Sequence, residues 1–276
     1  MKTLIVIPAR YASTRFPGKP LVKLNGVEML VRVWNIAKFV CEKIQHTQAV
    51  VATEDTNNNP IPEFCKEKNI QYVTTSEKCQ SGTDRSWEVA SRQQQLPEVI
   101  INLQGDNPLC PPEFITTVIN AFSTYKNAQV ITPCTKLSWE ELDELREAKK
   151  ITKHSGTTVT FNADTNTAYW FSKQMIPAIK KEKELREASE ESPVFRHIGL
   201  YGYRFESLKF FANTPKTNYE SLEELEQLRF IEHQIPIHLV QVKYPLGYGK
   251  MASGIDSPED MERAEKLIKL YGEILS

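Results

Sequence analysis

The chain predicts an α/β protein with a mostly parallel central sheet flanked by helices. Three observations carry that expectation. Short β-branched runs are apolar throughout, as strands buried on both faces require, helix-spaced segments lie between them, and strand, loop and helix alternate up to Asp106.

The alternation begins with "TLIVI", a buried-strand pattern that stops at Pro8. "VEMLVRVWNIAKFV" follows, with Met29, Val33, Ile36, Ala37 and Val40 on one helical face. "QAVVATED" reads as a second strand, "IPEFCKEKN" as a helix opened by proline and "IQYVTTS" as a third strand. "SGTDRSWEVASRQQQ" reads as a helix capped by Ser81 or Thr83, and "EVIINLQGD" as a fourth strand. Ligands of such sheets collect at the carboxyl ends of the strands, where "IPARYASTRFPGKPL" and "QGDNP" lie.

From "AQVITPCTKL" onward the rhythm changes. "GTTVTFNADTNTAYWFS" predicts two strands turning through "NADTN", "HIGLYGYR" one strand, "SLEELEQLRFIEHQ" one helix and "IHLVQVKYP" a final strand. "AIKKEKELREASEESP" is a polar run, read as a solvated helix or loop with a partner-binding face as the alternative. The last segment, "SPEDMERAEKLIKLYGEIL", predicts a helix with Ser257 at the N-cap, Pro258 at N1 and acidic residues in its first turn. No repeat or linker interrupts the chain, so residues 1–276 are expected to form a single domain, with 155–215 as an excursion.

Composition narrows the function. Apolar residues make up 40 % and charged residues 25 %, ordinary globular usage, and 34 Lys plus Arg against 35 Asp plus Glu leave a net charge of −1. That balance argues against a nucleic-acid or acidic-membrane partner, so an anion must be gripped locally. Cys41, Cys65, Cys79, Cys110 and Cys134 are widely spaced and form no CxxC pair, against a disulfide framework or a zinc site. The N-terminal apolar run is too short for a signal segment and no later run is long enough to span a membrane, so a cytoplasmic protein is expected.

The local grip is the first loop. Arg10, Arg15 and Lys19 project from a segment stiffened by Pro8, Pro17 and Pro20, and Gly18 allows a close backbone approach. Arginine forks and a lysine point charge suit phosphate oxygens, against the plainer reading of cations on a surface loop. "FPGKPL" lacks Walker A spacing, and the GxG at Gly247 and Gly249 lacks the continuation of a dinucleotide fingerprint. Asp106 ends a buried strand and Asp256 precedes the last helix; each can cap a turn, or the two can converge on magnesium. His197, Gly199, Tyr201 and Tyr203 share a face if "HIGLYGYR" is one strand, which suits a sugar pocket or a structural histidine. Glu226 and Gln227, on a continuous helix, are expected in solvent.

Seven blocks, "IPARYASTRFPGKPL", "QSGTDR", "NLQGDNP", "YWFS", "FRHIGLYGYR", "LEQLR" and "GIDSPEDMERA", run in this order between residues 5 and 265. Together they resemble the cytidylyltransferases that activate 3-deoxy-manno-octulosonate (KDO) as CMP-KDO. The resemblance implies a nucleotide-diphospho-sugar transferase (Rossmann-like) fold, with a small mixed-sheet excursion for sugar binding and dimerisation. It implies a homodimer, magnesium, and the reaction of CTP with KDO to give CMP-KDO and pyrophosphate for lipopolysaccharide or capsule synthesis. By the same resemblance Arg10, Arg15 and Lys19 clamp triphosphate and substrate, while Pro8 and Ala9 form part of the nucleotide seat. Ser81, Gly82 and Thr83 read cytosine, Gln104 bridges the substrates, Asp106 and Asp256 bind metal, and Arg15, His197, Tyr201, Glu226 and Gln227 meet the sugar acid.

The sequence departs from the family pattern at Asn107, where a glutamate is usual, at Thr160 or a neighbour in "GTTVTF" in place of a lysine, and in the longer turn "YGKMASGID". These differences surround the metal and sugar side, so a related ulosonate such as 8-amino-KDO is the alternative substrate. A more remote alternative is a non-catalytic nucleotide-binding protein of the same fold, against which Lys19 and both aspartates are retained. A glycosyltransferase of similar architecture is disfavoured because no Asp-x-Asp occurs.

Overall fold

The computed structural model describes residues 1–12, 16–154, 156–245, 248 and 254–275. The predicted alternation is present: β1 (Thr3–Pro8), a ribbon of β2 (Lys23–Leu24) and β3 (Val27–Glu28), α1 (Met29–Lys43), β4 (Thr47–Glu54), α2 (Ile61–Glu67), β5 (Tyr72–Thr75), α3 (Gly82–Ser91) and β6 (Val99–Leu103). The second half contains α4 (Pro112–Thr124), β7 (Val130–Ser138), α5 (Trp139–Ile151), β8 (Thr158–Phe161), β9 (Ala168–Ser172), α6 (Glu182–Ala188), β10 (Glu191–His197) and β11 (Leu200–Arg204). It closes with α7 (Phe205–Asn213), α8 (Asn218–Glu223), α9 (Leu228–Glu232), β12 (Ile237–Gln241) and α10 (Pro258–Tyr271).

One ten-stranded sheet runs β5-β4-β1-β6-β11-β7-β10-β8-β9, with β12 beside β7. β5, β4, β1 and β6 are mutually parallel, and β12 is parallel to β7. β11 enters antiparallel between β6 and β7. All six residues of β1 are buried, because alternate side chains feed two cores. Ile5 and Ile7 pack with residues of α1 and α4, while Leu4 and Val6 pack with those of α3, α7 and α9. Capping boxes start several helices, among them Ser81 with Asp84, Ser138 with Glu141, and Ser257 with Asp260. Each cap stabilises its helix by about 1 kcal/mol.

Two elements depart from their sequence pattern. "HIGLYGYR" is not one strand: it is split by Ile198–Gly199 into the end of β10 and the whole of β11. His197 pairs with Cys134 and Gly202 with Ile131, so five residues on this side span three on β7. Beyond the break the chain leaves β8 and pairs with β6. The buried hydroxyl of Thr132 donates 2.7 Å to the carbonyl of Leu200 and lies 2.8 Å from His197 Nε2, so it satisfies polar groups at the break.

"SLEELEQLRFIEHQ" is likewise not one helix. Glu224 adopts a left-handed conformation (φ 49°, ψ 47°) that separates α8 from α9. The cause is a buried pair: Arg229 donates to Glu220 through Nε at 2.7 Å and Nη2 at 2.5 Å. In a straight helix nine residues cover about 13 Å of axis, which would hold the two groups apart. The break also lets Glu223 accept from Ser172 Oγ at 2.8 Å and from the Lys173 amide at 2.7 Å, tying this corner to β9.

Candidate active site

Strands β1 and β6 end side by side, so the loops after Pro8 and Leu103 meet at one rim. The fit is tight. The Gly105 amide donates to the Pro8 carbonyl at 3.2 Å, and a Cβ at Gly105 would lie 2.5 Å from that oxygen. Glu54, at the end of β4, holds the other side of the first loop by accepting from the amides of Tyr11 (2.9 Å) and Ala12 (3.3 Å). Gly18, at φ 71°, donates to the Tyr11 carbonyl and turns the chain into the short 3₁₀ turn that starts at Lys19.

Lys19 is thereby aimed at two carboxylates from distant parts of the sequence. Its Nζ lies 2.7 Å from Asp106 Oδ2 and 3.2 Å from Asp256 Oδ1. Asp256 arrives there because the Ile255 amide donates 2.8 Å to the Asp106 carbonyl, and Gly254 passes so close that a Cβ would sit 2.8 Å from Asp106 Oδ1. The convergence that the two separate aspartates left open is therefore present.

Two cavities flank this point. The first, about 270 Å³, is lined by Pro8, Ala9, Arg10, Lys19, Gly82, Gln104 and Asp106, with the buried Arg85 also in its wall. Arg10 is exposed and makes no hydrogen bond or ion pair among the described residues. Arg15 lies outside the described residues, as do Gly247 and Gly249. Ser81 spends its hydroxyl on the α3 cap, accepting from the Asp84 amide, which leaves the N-terminus of α3 next to the cavity.

The second cavity, about 260 Å³, is lined by Gln104, Asp106, Asn107, Arg196, His197, Tyr201 and Gln227. Gln104 and Asp106 wall both spaces. Gln227 is buried, not solvated, and its Nε2 has no hydrogen-bond partner among the described residues. Glu226 is half-buried and accepts 2.6 Å from Thr83 Oγ1. A polar chain continues from Thr83 to Asn102 (3.2 Å) and from Asn102 to Gln104 (3.1 Å), which lines both cavities. The helix break explains why the solvated expectation for Glu226 and Gln227 fails: after Glu224 the chain turns them inward.

Burial sets the charge states here. It raises the Glu226 carboxyl above its ordinary range, an effect opposed by the Thr83 and Ser81 hydroxyls. It pushes the His197 imidazole down to about 3, so the ring is neutral at physiological pH. Because Thr132 donates to the Leu200 carbonyl, its oxygen accepts from His197 Nε2–H, which makes the other ring nitrogen an acceptor. The His197, Tyr201 and Tyr203 rings still follow one another, at centroid distances of 5.3 and 5.7 Å, although the strand beneath them is broken.

Sequence reasoning gave no role to Arg85, Arg196, Asn102 or Thr132. Arg85 and Arg196 stand inside the blocks "QSGTDR" and "FRHIGLYGYR", where their charge was a usable signal. Asn102 and Thr132 sit in apolar strands; Asn102 acquires its partners when α3 packs on β6, and Thr132 when β10 and β11 pair with β7.

Comparison with known proteins agrees with this geometry. A family profile described as cytidylyltransferase matches residues 4–238. The 3-deoxy-manno-octulosonate cytidylyltransferase of Maricaulis maris is 38 % identical over 100 % of both chains. That of Parabacteroides distasonis is 36 % identical over 96 % of this chain and 97 % of its own. This chain belongs to the 3-deoxy-manno-octulosonate cytidylyltransferase family. A solved structure of CMP:2-keto-3-deoxy-manno-octonic acid synthetase complexed with CTP superposes with a TM-score of 0.80 at 28 % identity, covering 98 % of this chain and 99 % of that one. The cytidylyltransferase family fold thus extends over the whole described chain. Its relation to a 4-diphosphocytidyl-2C-methyl-D-erythritol synthase from Anaerococcus prevotii, at TM-score 0.57 and 12 % identity, is one of fold alone.

Proposed function

We propose that this protein transfers the cytidylyl group of CTP to the anomeric hydroxyl of KDO or a close ulosonate, releasing pyrophosphate. The observation that carries this reading is the shared wall: Gln104 and Asp106 line both cavities, with Lys19 held at their junction. A nucleotide in the first cavity and a sugar acid in the second would meet there. The hydroxyl oxygen forms a bond to the α-phosphorus as the bond to the pyrophosphate oxygen breaks, and the hydroxyl proton is lost. Both reactants are anions, so positioning and charge neutralisation carry the catalysis, and no covalent enzyme intermediate is required.

Arg10, Lys19 and Arg85 supply positive charge around the first cavity, and the α3 N-terminus adds backbone donors. Pro8, Ala9, Ser81, Gly82 and Thr83 form the nucleotide seat in this reading, with Gln104 between the substrates. His197, Tyr201, Glu226 and Gln227 present acceptors, donors and ring faces for a polyhydroxylated ligand. Gln227 Nε2 is a buried donor for which a sugar oxygen is a suitable acceptor.

The donor set also fits magnesium. Asp106 and Asp256 already share one cation, the Lys19 ammonium, and magnesium takes one or two carboxylates and completes its shell with phosphate oxygens and water. Bound there, it would neutralise phosphate charge and acidify the attacking hydroxyl. A homodimer, a cytoplasmic location and a place in lipopolysaccharide or capsule synthesis belong to the same proposal. No helix among the described residues is long and apolar enough to cross a membrane.

Pyrophosphate release from CTP should be measured with KDO, 8-amino-KDO and N-acetylneuraminate, each with and without magnesium. Release with KDO or 8-amino-KDO that depends on magnesium is expected. No release with any of the three acids overturns the enzymatic reading, and equal rates without the metal overturn its metal requirement.

A further inference from the structure

One cation in the second cavity has no internal purpose. Arg196 leaves β10 just before the break and lines the cavity, yet its guanidinium makes no hydrogen bond or ion pair among the described residues. Its strand neighbours, Thr135 on β7 and Thr158 on β8, are neutral. Of the groups that act on it electrostatically, Glu141 already accepts from the Ser138 amide in the α5 capping box, and burial holds the Tyr244 phenol protonated. The remaining charged neighbours are cations. Lys149 donates to the carbonyls of Gly156 (2.7 Å) and Lys173 (2.6 Å), and burial together with Arg196 pushes it down to about 8. Arg263 pairs with Asp260. Gly156, at φ 70°, runs beside the guanidinium: a Cβ there would stand 3.8 Å from Arg196 Nε and Nη2.

We propose that Arg196 is the anchor for the carboxylate of the acidic sugar, in a forked pair of hydrogen bonds. The inference rests on the ulosonate reading above and deepens it. A half-buried guanidinium without an anion costs free energy that a bound carboxylate recovers, and the planar fork matches the two carboxylate oxygens. Position adds a second reason. In a 2-ulosonate the carboxyl carbon and the attacking hydroxyl are both attached to the anomeric carbon. Holding the carboxylate therefore fixes where the nucleophile points, and Gln104 and Asp106 of the same cavity lie on the side facing the nucleotide. Arg196 thus sets both affinity for the acid and its orientation.

The test compares the sugar acid with its C1 carboxamide in wild type, Arg196→Met and Arg196→Lys, with thermal unfolding as a fold check. In Arg196→Met, KM for the acid should rise about 100-fold, while KM for CTP changes less than about threefold. Wild type should prefer the acid over the amide by about 100-fold, and Arg196→Met should lose that preference. Arg196→Lys keeps the charge without the fork and should raise KM for the acid about tenfold, which keeps the test decisive if the methionine variant does not fold. An unchanged KM in Arg196→Lys, or an acid-over-amide preference that survives in a folded Arg196→Met, overturns the assignment. A wild type that releases no pyrophosphate with any sugar acid instead overturns the reading on which it rests.

Discussion

The two cavities share Gln104 and Asp106 but are walled by different kinds of backbone. The first is closed by regular elements: the ends of parallel strands β1 and β6, the capped start of α3, and a loop whose proline and glycine positions fix its path. The second is closed by interruptions, the break between β10 and β11 and the left-handed turn between α8 and α9. In the proposed reading a charged nucleotide is met at a generic strand end. In the same reading a polyhydroxylated partner is met where regular structure is broken to bring Tyr201 and Gln227 to one space.

That comparison can be broken most directly at a carboxylate common to both sides. Asp106→Asn should lower kcat about 1000-fold, near 4 kcal/mol of transition-state stabilisation, with the unfolding temperature nearly unchanged. Asp256→Asn should lose turnover to a similar extent. Rates like wild type in either variant would separate the carboxylates from the chemistry.

Stability should divide the two regions. Gly105→Ala places a Cβ 2.5 Å from the Pro8 carbonyl and is expected to cost about 3 kcal/mol in urea unfolding. Gly199→Ala, at the break beside the second cavity, meets nothing within 4 Å and should stay within about 0.5 kcal/mol of wild type. Equal costs would mean that the strand ends are no more tightly fitted than the break.

A pH titration sharpens the second side alone. The native state holds His197 neutral down to about 3, whereas an unfolded histidine titrates near 6.5, so the unfolded chain binds the extra proton as pH falls. The contribution is present above 6.5 and is lost progressively between 6.5 and 3, reaching about 2 kcal/mol at pH 5. His197→Asn should flatten the acid side of the stability curve by that amount; a curve parallel to wild type would place the acid sensitivity elsewhere. A modest effect is expected from Thr132→Val, which removes the donor to the Leu200 carbonyl and the acceptor for His197. It should cost about 1 kcal/mol and raise KM for the sugar acid, leaving KM for CTP unchanged.

The difference between the regions is also the difference in what sequence could reveal. β1, α1, β4, α2, β5, α3, β6 and α10 are local objects, each declared by its own periodicity, proline or cap, and the residues at their ends were readable with them. Helices α4, α5 and α7 went unassigned although Ser138 and Glu141 spell a capping box ahead of α5. The breaks were not readable because their causes are distant. Glu220 meets Arg229 only after the chain has folded back, and the Leu200 carbonyl finds Thr132 from a strand far away in sequence. Periodicity carries no trace of either contact, so "SLEELEQLRFIEHQ" and "HIGLYGYR" read as continuous. The meeting of Lys19 with Asp106 and Asp256 was similarly hidden, since it depends on Gly254 lying against Asp106.

The break at Ile198–Gly199 has a consequence for how this chain can change over time. β11 packs Gly202 against Phe122 and Val118 of α4 and sends Tyr203 to the opposite face, against Phe230. Losing one residue at the break would turn β11 over if its ladder with β6 slid by one, thrusting tyrosines into the space that Gly202 leaves for α4. Substitutions at Gly199 meet open room, but deletions there meet the whole core. Homologous chains should therefore vary in letter at this corner while keeping its length, and loop grafts meant to retune the second cavity should preserve the number of residues between His197 and Leu200.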